Sequence, residues 1–144
     1  MKCFVDTSVL VASLVREHGH HARAMPVIRR IVGGQDQGIV AAHSLAEVYA
    51  VLTTLPVSPR IGPDTAEKLM RDNVLASFEV VALTAREYAQ FVTSLADRMV
   101  VGGSVYDALI LAAALKSAAD RVYTFNVTDF VRLAPELRDR IVAP

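Results

Sequence analysis

The sequence predicts an α/β fold, a three-layer α/β/α sandwich with a central, mostly parallel sheet of four to five strands. Two observations lead there. Short apolar runs alternate along the chain with longer segments whose apolar residues recur at helical spacing. The composition, 53% hydrophobic and 21% charged over 144 residues, calls for a packed core and speaks against disorder.

Lys2 to Val5 reads as a short buried strand, followed after a minimal turn by a helix over Ser8 to Arg16. The polar break "HGHHA" separates it from a helix over Ala22 to Val32, which stops at Gly33-Gly34. Ile39 to Ala42 forms a second strand and Ser44 to Leu55 a helix. The stretch from Pro56 to Pro63, with its three prolines, ends that helix. It reads as an inter-helix loop, because neither side of it alone holds a complete sheet; residues 1–144 are therefore expected to form one domain. Asp64 to Ala76 makes another helix, Phe78 to Leu83 a strand, and Thr84 opens a helix to about Met99. Gly102-Gly103 makes a corner before a helix from Ser104 to about Ala118. Arg121 to Phe125 is a fourth core strand, Asp129 starts a short helical piece, and Arg140 to Val142 forms a last, edge strand.

Fifteen basic and fifteen acidic residues give a formal net charge of zero, which argues against nucleic-acid binding driven by overall charge. It leaves room for a local basic rim. No apolar stretch is long and charge-free enough to span a bilayer, and Asp6 falls where a secretory signal is most apolar. The expected location is the cytoplasm. The single Cys3 sits in an apolar strand and is expected to be a small buried residue in a reducing compartment.

The informative pattern is the placement of acids just after strands. Asp6 follows the first strand, Glu47 lies in the first turn after the second, and Asp129 in the first turn after the fourth. In open α/β sheets the functional crevice lies beyond the carboxyl ends of the strands, where strand order reverses, and acids there can meet. Asp107, in the first turn of the helix opened by Ser104, is a fourth candidate. Ser44 to Glu47, Ser104 to Asp107 and Asn126 to Asp129 also fit a capping box, as does Thr84 to Glu87, which serves as an internal control. Capping explains the surroundings poorly. Thr7 and Ser8 are available to cap the first helix, and Glu47 and Asp107 are embedded in the apolar runs "LAEVYAVL" and "VYDALILAAA". Half-buried carboxylates are costly unless neutralised, and no Lys or Arg lies beside Asp6, Glu47 or Asp107 in sequence. A hard divalent ion, Mg²⁺ or Mn²⁺, takes oxygen ligands, suits a phosphate substrate and activates water.

The segments "FVDTSVLVA", "HSLAEVYAVL", "GGSVYDALILAAAL" and "YTFNVTDF" closely resemble those of PIN-domain ribonucleases, particularly VapC-type toxins of toxin–antitoxin pairs. The resemblance runs from Cys3 to Phe130, with the motifs in the family's order. It implies an endoribonuclease that uses Mg²⁺ or Mn²⁺ to attack the RNA phosphodiester. Asp6, Glu47, Asp107 and Asp129 are then the catalytic and metal-site residues. Thr7 or Ser8 orients the first aspartate, and Asn126 caps the last turn and touches a metal water. Glu87, after an edge strand, belongs to capping. The resemblance further implies a homodimer and an antitoxin whose tail enters the active-site groove, where an arginine can neutralise the acids. Two other readings stand beside it: an aspartate-based phosphotransfer or phosphatase domain with Asp6 as nucleophile, and a degenerate PIN module that only binds a partner.

Other residues read more plainly. His18, His20 and His21 are expected in a solvated loop, since no acid or cysteine accompanies them at metal-ligand spacing. His43 precedes a helix on the active-site side and can meet phosphate or serve the loop. Arg16, Arg60 and Lys116 are candidates for an RNA groove. Tyr49, Phe78, Phe91 and Tyr123 sit at apolar positions and are expected to fill core or interface.

Overall fold

Strand β1 (Lys2–Val5) lies at the centre of a five-stranded sheet, in a computed structural model that describes residues 1–144. It pairs in parallel with β2 (Gln37–Ala41) on one side and with β4 (Arg121–Tyr123) on the other, in registers Phe4 to Ile39 and Phe4 to Val122. Beyond β2 lies β3 (Phe78–Val81) and beyond β4 lies β5 (Ile141–Val142), both parallel, so the order is β3-β2-β1-β4-β5. The chain builds outward through β2 and β3, then returns to the other side of β1. The order therefore reverses between β1 and β4, which opens a crevice at their carboxyl ends.

Every strand-to-strand connection carries helix, as parallel pairing requires. Helices α1 (Thr7–Leu14) and α2 (His21–Val32) join β1 to β2. Helices α3 (Ala42–Thr54) and α4 (Pro63–Met70), with a π-helical turn over Arg71–Leu75, join β2 to β3. Then α5 (Ala85–Asp97) and α6 (Ser104–Lys116) lead to β4, and α7 (Val127–Leu133) with a 3₁₀ turn leads to β5. Two apolar cores result, one on each face of the sheet. Cys3, Val5 and Val40 pack on α1 to α4, whereas Phe4, Ile39, Ala41 and Val122 pack on α6 and α7. The alternation along β1 is why that strand is apolar at every position after Lys2: both faces are covered. Burying a side chain such as Phe4, which has no exposed surface, contributes about 1.5–3 kcal/mol.

Contact between layers is close at Gly38. A Cβ there would sit 2.4 Å from Ile31 of α2 and 2.6 Å from the Phe78 ring, so only glycine lets β2 pass between them.

The expected α/β/α sandwich is therefore the observed one, with strand ends shifted by a few residues. Two starts differ in an instructive way. Asp6, and not Thr7 or Ser8, caps α1: its side chain accepts the Ser8 N–H, which starts the helix at Thr7. Helix α3 begins at Ala42, directly off the last residue of β2, so Ser44 lies inside its first turn rather than before it. The segment expected as one helix from Asp64 to Ala76 changes winding at Arg71, where the π-helical turn buries Val74. Asp129 lies inside α7 rather than at its start, because Asn126 takes the N-cap position.

Candidate active site

Asp6 is 2% exposed at the carboxyl end of β1. Three donors hold it: Ser8 Oγ at 2.6 Å, Thr124 Oγ1 at 2.9 Å and Ser8 N at 3.3 Å, all on Oδ2. The two hydroxyls also reach the neighbouring strand end. Ser8 Oγ accepts the Phe125 N–H at 3.1 Å and Thr124 Oγ1 accepts the Asn126 N–H at 2.9 Å. One carboxylate oxygen thus ties β1, α1 and the exit of β4 into a fixed arrangement. Burial pushes the Asp6 carboxyl above the usual carboxylate range, and the Ser8 and Thr124 hydrogen bonds draw it part of the way back.

A cavity of about 420 Å³ opens beside it. Asp6, Glu47 and Asp107 all line it, together with Thr7, Ser8 and Asn126. Thr7 donates to Glu47 Oε1 at 3.2 Å, so the two adjacent hydroxyl residues serve different acids. His43 Nε2 approaches the same Glu47 oxygen to 3.3 Å, within ion-pair range but off line for a hydrogen bond, and its ring lies parallel to Tyr106 with centroids 5.2 Å apart. No lysine or arginine lines the cavity. Its charge is uncompensated. Asp107 accordingly stands at about 6, raised first by burial and then by the charges of Asp6, Glu47 and Asp129, with Arg132 offsetting part of the rise.

Asp129 is placed differently from the other three acids. Its side chain is 58% exposed, pairs with Arg132 at 3.2 Å and does not line the cavity, although its charge reaches Asp107. Asn126, three residues earlier, does line it.

The donor set fits a hard divalent cation. Three carboxylates, at the end of β1, within α3 and in the first turn of α6, share one cavity, every one of their donors is oxygen, and no lysine or arginine stands among them. No three histidine, cysteine, aspartate or glutamate side chains are gathered at metal-ligand distance in this structure. Asp6, Glu47 and Asp107 are the residues that would hold such an ion.

Sequence reasoning missed part of this cavity. His18 and His20 lie in the loop expected of them, and both line the cavity because that α1 to α2 connection folds back over the carboxyl end of the sheet. Only the tertiary hairpin brings them there, and no spacing in the sequence encodes it. Phe125 joins them from the segment just after β4. Lys116, expected as a groove candidate, instead donates to Glu87 at 2.6 Å and to the Ala82 carbonyl at 2.9 Å, away from the cavity. Tyr49 is 40% exposed rather than packed in the core, whereas Phe78 is buried as expected.

Residues 3–134 match the model of the PIN domain. The chain belongs to the PIN-domain family. Ribonuclease VapC27 of Mycobacterium tuberculosis is 34% identical to it over 116 residues, 81% of this chain and 79% of that protein. Among solved structures, VapC20 of Mycobacterium tuberculosis, described as a toxin that cleaves the sarcin-ricin loop, superposes with a TM-score of 0.64 at 21% identity, over 86% of this chain and 89% of its own. VapBC2 from Rickettsia felis, crystallised with a DNA fragment from its promoter, gives 0.65 at 16% identity over 100% and 98%. The structures speak for a PIN fold of three layers. The curated relative extends the likeness to VapC-type sequences.

Proposed function

We propose that this PIN-domain chain is a divalent-metal-dependent endoribonuclease of the VapC type, the toxin of a toxin–antitoxin pair. The observation that carries the reading is the convergence of Asp6, Glu47 and Asp107 in a cavity without lysine or arginine, with Asp107 raised to about 6 by burial and then by the neighbouring acids. Support comes from a relative named as a ribonuclease across four-fifths of the chain. Mg²⁺ is the expected ion and Mn²⁺ its substitute; when bound, it supplies charge stabilisation at the phosphoryl group and activates water.

The chain's own residues have distinct parts in this reading. Asp6 is the rigid ligand, fixed through Oδ2 by Ser8 and Thr124. Glu47 is oriented by Thr7. Asp107, raised to about 6 by burial and by the neighbouring acids, would hold the ion through its carboxylate. Asp129 adds negative potential from the rim, and Asn126 offers an amide at the cavity edge. A zero net charge with acids gathered in one cavity leaves the remaining surface relatively basic, which suits an RNA substrate. An antitoxin arginine entering the cavity would replace the cation directly and so switch the enzyme off. A homodimer acting in the cytoplasm completes the reading; no helix is long and apolar enough to cross a membrane.

Nothing favours the phosphotransfer alternative, since the cavity contains no lysine to balance a phosphorylated Asp6. The test is RNA cleavage by wild type and Asp6→Asn with Mg²⁺ or Mn²⁺. The variant should lose cleavage while keeping its circular dichroism spectrum; equal cleavage by both would sink the assignment.

A further inference from the structure

Three aromatic rings from two distant segments meet at the cavity. The His20 ring stacks on Phe125 with centroids 4.4 Å apart and planes inclined by 19°. His18 stands 5.8 Å from His20, tilted by 44°, and its Nδ1 accepts the His20 backbone N–H at 3.1 Å. The Arg23 guanidinium carbon lies 5.3 Å from the centroid of Phe125. His18, His20 and Phe125 all line the same cavity as Asp6, Glu47 and Asp107.

Core packing accounts for only one part of this ledge, the side of Phe125 that rests against the apolar core. His20 is exposed and Phe125 only half-buried, so a flat aromatic surface faces the solvent of the cavity. The remaining lining consists of carboxylates, hydroxyls, one amide and the aliphatic Val11, Val51 and Ile110. His18, His20 and Phe125 supply the only aromatic faces in the lining. The flat part of an RNA strand is its base, and base–aromatic stacking accepts any base that is unpaired.

On the ribonuclease reading above, we propose that His20 stacked on Phe125 is a base-binding subsite. It seats the nucleobase of a nucleotide adjoining the phosphate that is cleaved, with the Arg23 guanidinium against the Phe125 ring and His18 flanking His20. Because a base inside a duplex has no free face, the subsite selects single-stranded or looped-out RNA, and it sets the register of the strand rather than its sequence. His20 and Phe125 act on substrate position and leave the metal ligands untouched.

The experiment compares wild type, His20→Ala and His20→Phe. Each is assayed on a short single-stranded oligoribonucleotide with Mn²⁺, and each is titrated with a 2-aminopurine-labelled strand whose fluorescence falls on stacking. His20→Ala should raise KM about tenfold, with kcat within about twofold, and lose the fluorescence quenching. His20→Phe should keep both, and Mn²⁺ affinity should be the same in all three proteins. Equal KM and equal quenching in wild type and His20→Ala overturn the subsite and leave the ribonuclease reading standing. Weakened Mn²⁺ binding in His20→Ala also overturns it, by assigning the ring to the metal site. Failure of the wild type to cleave any RNA overturns both readings.

Discussion

The start of α5 and the crevice between β1 and β4 carry the same sequence pattern and put it to opposite uses. At Thr84 to Glu87 the pattern is a complete capping box: Thr84 Oγ1 accepts the Glu87 N–H and Glu87 accepts the Thr84 N–H at 2.7 Å. Lys116 also pairs with Glu87, and together these partners hold its carboxyl below the usual range. In the crevice, neither Ser44 nor Ser104 caps anything, Asn126 makes no side-chain cap bond, and the acid three residues on is left to other partners. Asp107 has only carboxylates and one distant arginine, and it moves the other way. Glu87 is neutralised by a lysine of the chain itself, whereas Asp107 has no such partner and stays available to a group from outside the chain.

Substitution in the two regions should separate them sharply. Asp107→Asn should reduce RNA cleavage by roughly 1,000-fold or more, the scale of several kcal/mol of metal-assisted stabilisation, whereas Glu87→Gln should leave it within about twofold. Comparable losses in both would erase the distinction. Ser8→Ala removes the shortest bond to Asp6 and frees the Phe125 N–H; Mn²⁺ affinity or cleavage should fall by about 10- to 100-fold, with both read in titration and rate assays.

The pH dependence carries a sign that can be worked out. Asp107 at about 6 lies above its unfolded value of 3.8, so the metal-free folded chain binds more protons than the unfolded one between those limits. Its contribution to stability is fully present below 3.8 and is lost as pH rises through 6; Asp6, also raised, adds in the same sense. Asp36, at the opposite end of the sheet, is held at about 2 by Arg30 and the N-terminal ammonium, and its contribution is lost as pH falls from 3.8 towards 2. Melting of the metal-free protein should therefore move to higher temperature between pH 7 and 5, and saturating Mg²⁺ should flatten that slope. A metal-free melting temperature that falls over that range would contradict the uncompensated cavity. The smallest effect is expected in the control region. Thr84→Ala should cost about 0.5–2 kcal/mol in denaturant unfolding and leave the cleavage rate unaltered.

Much of the frame was legible because it rests on local signals. The apolar run before Asp6, the proline stretch after α3 and the glycine pair before α6 each mark an element boundary by chain chemistry alone. The placement of Asp6 and Glu47 at one sheet edge followed from strand-then-helix order, whereas Asp107, on a helix that follows another helix, reaches that edge only through the tertiary fold. What escaped was tertiary. Ser44 looks like a cap in sequence, yet β2 runs into α3 with no turn, which carries Ser44 into the buried side of the helix with its hydroxyl unpaired. His18 and His20 look like loop residues because their partner, Phe125, is more than a hundred positions away. Asn126 and Asp129 differ by one helical turn, and only the exit angle from β4 decides which of them faces the cavity.

The bond from Thr124 Oγ1 to Asp6 spans 118 residues, and so does the pairing of the central strand with its later neighbour: Cys3 lies against Arg121. During synthesis at about 5–20 residues per second, the ribosome would release Asp6 roughly 6–24 s before Thr124. Over that interval the first aspartate has no wall on one side, and the imidazole of His20 has no phenyl ring to rest on. A chain of this design would be harmless while it is being made. Its cutting edge would close only when the last third of the polypeptide arrived.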